Sequence, residues 1–187
     1  IEQGDDVTKV VTSLVTDMSE LFNDNTTFNQ DISTWDVSNV TDMKGMFDGS
    51  AFNQPIGNWD VSSVTDMYGM FGDTSAFNQD ISSWNVSSVT NMRRMFFYSS
   101  FNQPIGDWDV SNVTNMEFMF YSSAFNQPIG NWDVSSVTNM GYMFQNAAAF
   151  NQNLSSWSVD GVTNCTDFSD GAPLTEANTP NFTNCTP

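Results

Sequence analysis

The chain has 187 residues and a net charge of −18, from 22 acids set against only Lys9, Lys44, Arg93 and Arg94. That length suits one domain, and the acidity excludes nucleic acid as a partner, because neutralising phosphates needs cations the chain lacks. Anionic membrane surfaces are disfavoured on the same ground, and neither a membrane-length apolar run nor a signal-peptide pattern is present.

The first 27 residues read as an N-terminal cap and half repeat. Within them Val15-Thr16-Asp17-Met18 through Leu21-Phe22 matches the second half of every later copy, preceded by acidic Asp5 and Asp6. Ile1 has the character of a mid-protein residue, so the chain is expected to be part of a longer one. Phe-Asn-Gln then occurs six times, at Phe28, Phe52, Phe77, Phe101, Phe125 and Phe150, at intervals of 24 or 25 residues. Residues 28–168 are therefore six tandem copies, the signature of an array in which each unit packs on its neighbours. A lone copy has too few apolar residues to offset the chain entropy of ordering it.

Inside a copy, Phe28 and Ile32 alternate with polar neighbours, which predicts a short strand. A Trp follows seven residues after each Phe, in a turn. From Val40 the apolar spacing becomes three or four (Val40, Met43, Met46, Phe47), which predicts a short helix. Ser38, Ser62, Ser87, Ser111 and Ser135, with Asp160 last, fit its N-cap, and Asp42 and Asp66 its first turn. All eleven Met fall in two columns and read as core. The Ser/Ala-containing connection back to the next Phe absorbs the one-residue length variation, as a loop does. Residues 169–187 form a C-terminal cap. Cys165, in the first Met column, and Cys185 are expected to form a disulfide, which implies export to an oxidising space; the alternative is two reduced thiols. With no His and no third Cys, a zinc site has too few ligands.

The expected fold class is an α/β repeat solenoid, right-handed, with short parallel strands on one face and short helices on the other. The pattern Phe-Asn-Gln-[Asp/Pro]-Ile-x-x-Trp-[Asp/Asn]-Val-Ser-x-Val-Thr-[Asp/Asn]-Met-x-x-Met-Phe resembles the bacterial surface-protein repeat of about 25 residues usually placed with the BspA-like leucine-rich repeats, over residues 15–168. The resemblance implies a leucine-rich-repeat-like fold on a secreted or cell-surface protein, linked to adhesion, and brings no catalytic residues. Pro55, Pro104 and Pro128 depart from the expected strand, since each removes an amide donor.

No Ser-His or Cys-His nucleophile system can be assembled without histidine, so the chain is not expected to be an enzyme. Three surfaces are candidates for binding. The first is the Phe-Asn-Gln face, with Asn29, Asn53, Asn78, Asn102 and Asn126 beside Asp31 and Asp80; it reads as a ligand platform, or as a solvated face or an Asn hydrogen-bond ladder. The second is the column after Trp, where Asp36 would approach Asp60, and Asp109 would approach Asp133. Oxygen-rich clusters suit calcium, and a solvated surface is the alternative. The third gathers Arg93, Arg94, Phe97, Tyr98, Phe118, Tyr121 and Tyr142 on the opposite wall, as a recognition patch or as lateral packing that includes Arg94 over Phe118. An unbroken threonine column, Thr16, Thr41, Thr65, Thr90, Thr114, Thr138 and Thr163, raises ice binding as a further reading. The leading expectation is an extracellular module adhering to glycan or protein, without membrane insertion; a passive spacer in a larger surface protein is its rival.

Overall fold

The computed structural model describes residues 6–187, so Asp5 and the rest of the first five residues of the 1–27 cap lie outside it. Each copy is one coil lying on the next, and the repeat side chains close into a single buried core. Every Trp, every Met and every Phe that opens a Phe-Asn-Gln is buried in it. Two columns of Phe rings run through this core. Phe22, Phe47, Phe71, Phe96, Phe120 and Phe144 follow one another at centroid distances of 5.5–5.9 Å. Phe28, Phe52, Phe77, Phe101, Phe125 and Phe150 do so at 5.9–6.3 Å. Within a coil the two columns touch, as at Phe47 and Phe52, 4.1 Å apart. Offset stacking of this kind adds to plain area burial.

The expectation of α/β elements is overturned. Among the described residues the only helical element is a 3-10 turn, Glu176–Asn178, and the only β pairing is a row of isolated parallel bridges running Asp17, Asp42, Asp66, Asn91, Asn115, Asn139, Asn164. Where a helix was expected the chain is a ribbon of linked turns. Leu21, Asn23 and Asn25 donate three residues back, to Met18, Glu20 and Phe22, while the alternate amides of Glu20, Phe22 and Asp24 donate to Lys44, Met46 and Asp48 of the next coil at 2.7–2.9 Å. A helix would keep all these bonds internal, four residues back. The obstacle is conformational: two and six residues after the first-column Met the backbone is left-handed, at Glu20 and Asp24, Gly45 and Gly49, Gly69 and Asp73, and so on through the chain. Each turn closes three residues back, and the ribbon buries the same Met, Met and Phe positions whose spacing suggested a helix.

The expected strand is absent for a different reason. Its bonds are made by side chains. The Oδ1 of each Asn accepts the backbone N–H of the Asn in the next coil, from Asn53 onto Asn29 (2.9 Å) to Asn151 onto Asn126 (3.1 Å). The Gln beside it donates back to the same preceding Asn, as Gln127 does to both oxygens of Asn102 at 3.1 Å. The copies carrying Pro55, Pro104 and Pro128 stay in register because the ladder uses the amide of Asn, two residues earlier. Each indole ties its coil to the one before: Trp84 Nε1 donates to Ile56 O at 3.0 Å and Trp132 Nε1 to Ile105 O at 3.0 Å. Near the N-terminus Val7 O receives the Trp35 indole in the same way.

The serines expected as N-caps stabilise a turn instead. Ser62 N and Oγ both donate to Asp60 Oδ1, at 3.1 and 2.6 Å, and the arrangement recurs at Ser38, Ser87 and Ser111. At the far end, residues 169–187 fold over the last coil. Phe168 turns edge-on to Phe144, ending the ring stack, and Phe182 packs on Phe168. Asn178 O accepts from Leu154 N, and Cys165 is disulfide-bonded to Cys185.

Candidate functional surfaces

The Phe-Asn-Gln face holds Asn29, Asn53, Asn78, Asn102 and Asn126 in one row, and their side-chain carbonyls are engaged in the coil-to-coil ladder described above. Asp31 and Asp80 of that face each accept an amide two residues on, from Ser33 and Ser82 at 2.9 Å. Those bonds hold both carboxyls below their ordinary value. The face is not uniform along its length. Copies that read Asp-Ile-Ser alternate with copies that read Pro-Ile-Gly, and two of the latter, at Pro104–Gly106 and Pro128–Gly130, are consecutive. There the surface sinks into an open concavity of about 500 Å³. Glycine is required at its floor: a Cβ on Gly106 would lie 2.5 Å from Pro128 O, and one on Gly130 would lie 2.6 Å from Asn153 O.

In the column after Trp, Asp36, Asp60, Asp109 and Asp133 each hold a Ser two residues on, and the hydrogen bonds from that Ser lower all four carboxyls below the usual range. Asp36 and Asp133 partly oppose this at their neighbours Asp60 and Asp109. Among the described residues no group of three or more Asp, Glu or Cys converges as a metal centre would. The threonine column flanks the row of parallel bridges. Each hydroxyl donates to the backbone carbonyl of the Thr one coil earlier, Thr65 to Thr41 and Thr114 to Thr90 at 3.2 Å, while retaining its acceptor lone pairs.

The seven residues of the third surface all lie on the turn ribbon, and all but Arg93 meet there. Phe97 packs edge-on to Tyr98 at 4.6 Å and near-parallel to Tyr121 at 5.1 Å, and Phe118 stacks on Tyr142 at 4.6 Å. Arg94 lies over Phe97 at 4.0 Å, rather than over Phe118 as the spacing suggested. Arg93 is paired with Glu117 at 2.7 Å and faces Tyr68. Tyr98 is 49% exposed. Arg94, Tyr98, Phe118 and Tyr142 all sit at φ between 51° and 60°. Side chains this large rarely adopt that backbone region, and each does so at a cost of about 1–2 kcal/mol. The equivalent positions earlier in the chain hold Glu20, Asp24, Gly45, Gly49, Gly69 and Asp73. The Gly, Asp and Asn in these two columns were the available signal for left-handed backbone; reading them as helix-wall substitutions missed it.

On the same ribbon, Glu20, Asp24, Asp48 and Asp73 form an acidic run before the aromatic one. Burial, and then the charge of Asp73, raise the carboxyl of Asp48 above its ordinary value, although Arg94 acts in the opposite sense.

The chain matches the family described as "Mycoplasma protein of unknown function, DUF285" twice, over residues 2–100 and 83–182. It belongs to this family. The two matches overlap because the family unit spans several copies of the repeat, so the family is a tandem-repeat one. No curated protein and no solved structure matches the chain. No helix among the described residues is long and apolar enough to cross a membrane.

Proposed function

We propose that this chain is a non-catalytic recognition module of a secreted or cell-surface protein, one section of a longer chain, which adheres through the aromatic ribbon of residues 94–142. One observation carries the reading. Four positions that other copies fill with small or flexible residues hold Arg94, Tyr98, Phe118 and Tyr142 against the preference of the backbone, and local strain of this kind concentrates at functional sites. Tyr and Arg are the residues that dominate binding hot spots. The faces of Phe118 and Phe97 are covered by neighbouring rings, which suits an irregular protein surface better than the stacking of flat sugar rings. The resemblance to BspA-like surface repeats and the Cys165–Cys185 disulfide support an extracellular setting.

Adhesion of beads coated with the chain to surfaces bearing extracellular-matrix proteins tests this. Saturable adhesion that is lost with Tyr98→Gly/Tyr142→Gly supports the reading. Adhesion no greater than that of uncoated beads would return the chain to a passive spacer. Thermal hysteresis in solution would instead favour the threonine column and ice.

A further inference from the structure

We infer that the concavity at Pro104 and Pro128 is a second, separate site, and that its ligand is a neutral saccharide. The argument starts from the residue just before each Trp. In three copies it bonds the preceding coil: Asn58 Nδ2 donates to Ser33 O at 2.8 Å, Ser83 Oγ to Gly57 O at 2.7 Å and Ser156 Oγ to Gly130 O at 3.0 Å. At the concavity this pattern lapses in two successive coils. Asp107 and Asn131 occupy the same column and make no hydrogen bond, and the carbonyls of Ser82 and Gly106, which they would have served, accept none. A carboxylate has no proton to give to a carbonyl, so Asp107 leaves Ser82 O open by its chemistry.

The result is an open concavity of about 500 Å³, within the size range of small-ligand sites. Its unpartnered polar groups include three acceptors (Asp107, Ser82 O, Gly106 O) and one amide, Asn131, that both donates and accepts; Gln152 and Asn153 also line it but are already bonded, to Asn126 and Ser155. Pro104 and Pro128 supply apolar ring surface beside them. A ligand matching this set carries several hydroxyl donors on one edge and a C–H face on the other, which is the chemistry of a pyranose. The volume admits one or two rings. The site lies on the Phe-Asn-Gln face, away from the aromatic ribbon, so it goes beyond the adhesive reading and neither depends on it nor supports it.

The test uses the full ¹⁵N-labelled chain, titrated separately with glucose, galactose, mannose and N-acetylglucosamine and followed by amide chemical shifts. The expected result is a saturable millimolar response to at least one sugar, centred on Gly106, Gly130 and Asn131. Asp107→Ala/Asn131→Ala, both exposed and unbonded positions, should weaken it by about tenfold or more, a change well outside measurement error, while leaving the remaining spectrum and the bead adhesion unchanged. No shift at these amides with any of the four sugars would overturn the inference, as would a response indifferent to the double substitution. An equal response to methylammonium chloride would also overturn it, because the acceptors would then be a cation site. Sugar binding by the unsubstituted chain without any bead adhesion would count against the ribbon alone.

Discussion

The early and late halves of the turn ribbon share one backbone and one core, yet present opposite surfaces. At the left-handed positions the early half holds Glu20, Asp24, Gly45, Gly49, Gly69 and Asp73, whereas from Arg94 to Tyr142 the late half holds Arg94, Tyr98, Phe118, Ser122 and Tyr142. Behind both halves the buried Phe and Met columns are the same, with Phe47 and Phe96 equally inaccessible. The core therefore does not dictate the outer residues. The early half follows the preference of a left-handed backbone for Gly and Asp. The late half overrides it, and that difference points to selection for something other than folding.

The largest expected effect probes what the halves share. Phe47→Ala and Phe96→Ala each leave a cavity in a continuous ring stack and should each lose about 3–5 kcal/mol in urea unfolding. Losses that differ widely between the two would mean the halves do not share a core energetically. Next, Gly49→Ala in the early half places a Cβ 2.5 Å from Asp24 Oδ1 on a left-handed backbone. It should lose about 1–2 kcal/mol, and a neutral outcome would show that the ribbon tolerates side chains freely. Its counterpart Tyr98→Gly is expected to be neutral or to gain up to about 1 kcal/mol, since relief of backbone strain offsets the lost ring contacts. A clear loss of stability there would assign Tyr98 to packing.

The smallest effect concerns the acids. Asp48 has a raised carboxyl, so its favourable contribution is complete below the unfolded value and is lost as pH rises through the folded one. Asp48→Asn should accordingly stabilise the chain slightly at neutral pH and make no difference in acid; a stabilisation that persisted in acid would contradict this. The Ser-bonded Asp36, Asp60, Asp109 and Asp133 run the other way, their contribution being lost as pH falls through their lowered values.

The core was legible in the sequence because periodicity reports burial directly: the Phe, Trp, Val and Met columns all lie inside. The local conformation was not. Linked turns that each close three residues back bury the same positions as a short helix, and only the Gly45, Gly69 and Asp24, Gly49, Asp73 columns separate the two. The Phe-Asn-Gln repeat left a side-chain ladder open as one of its readings, and the structure has that ladder, running through Oδ1 rather than through paired strands. The aromatic group could be assembled from spacing, although the partner of Arg94 could not. The concavity was out of reach, because it depends on two Pro-Ile-Gly copies lying side by side and on which carbonyls Asp107 and Asn131 leave unserved.

The most direct test converts the late ribbon to the early one in a single chain, with Arg94→Gly, Phe97→Gly, Tyr98→Asp, Phe118→Gly and Tyr142→Gly, and measures unfolding stability and bead adhesion on the same preparation. If the late ribbon exists to bind, the variant keeps its stability within about 1–2 kcal/mol, the scale of a few partly exposed contacts, and loses adhesion. A variant that unfolds readily, or one that still adheres like the original chain, would contradict the account.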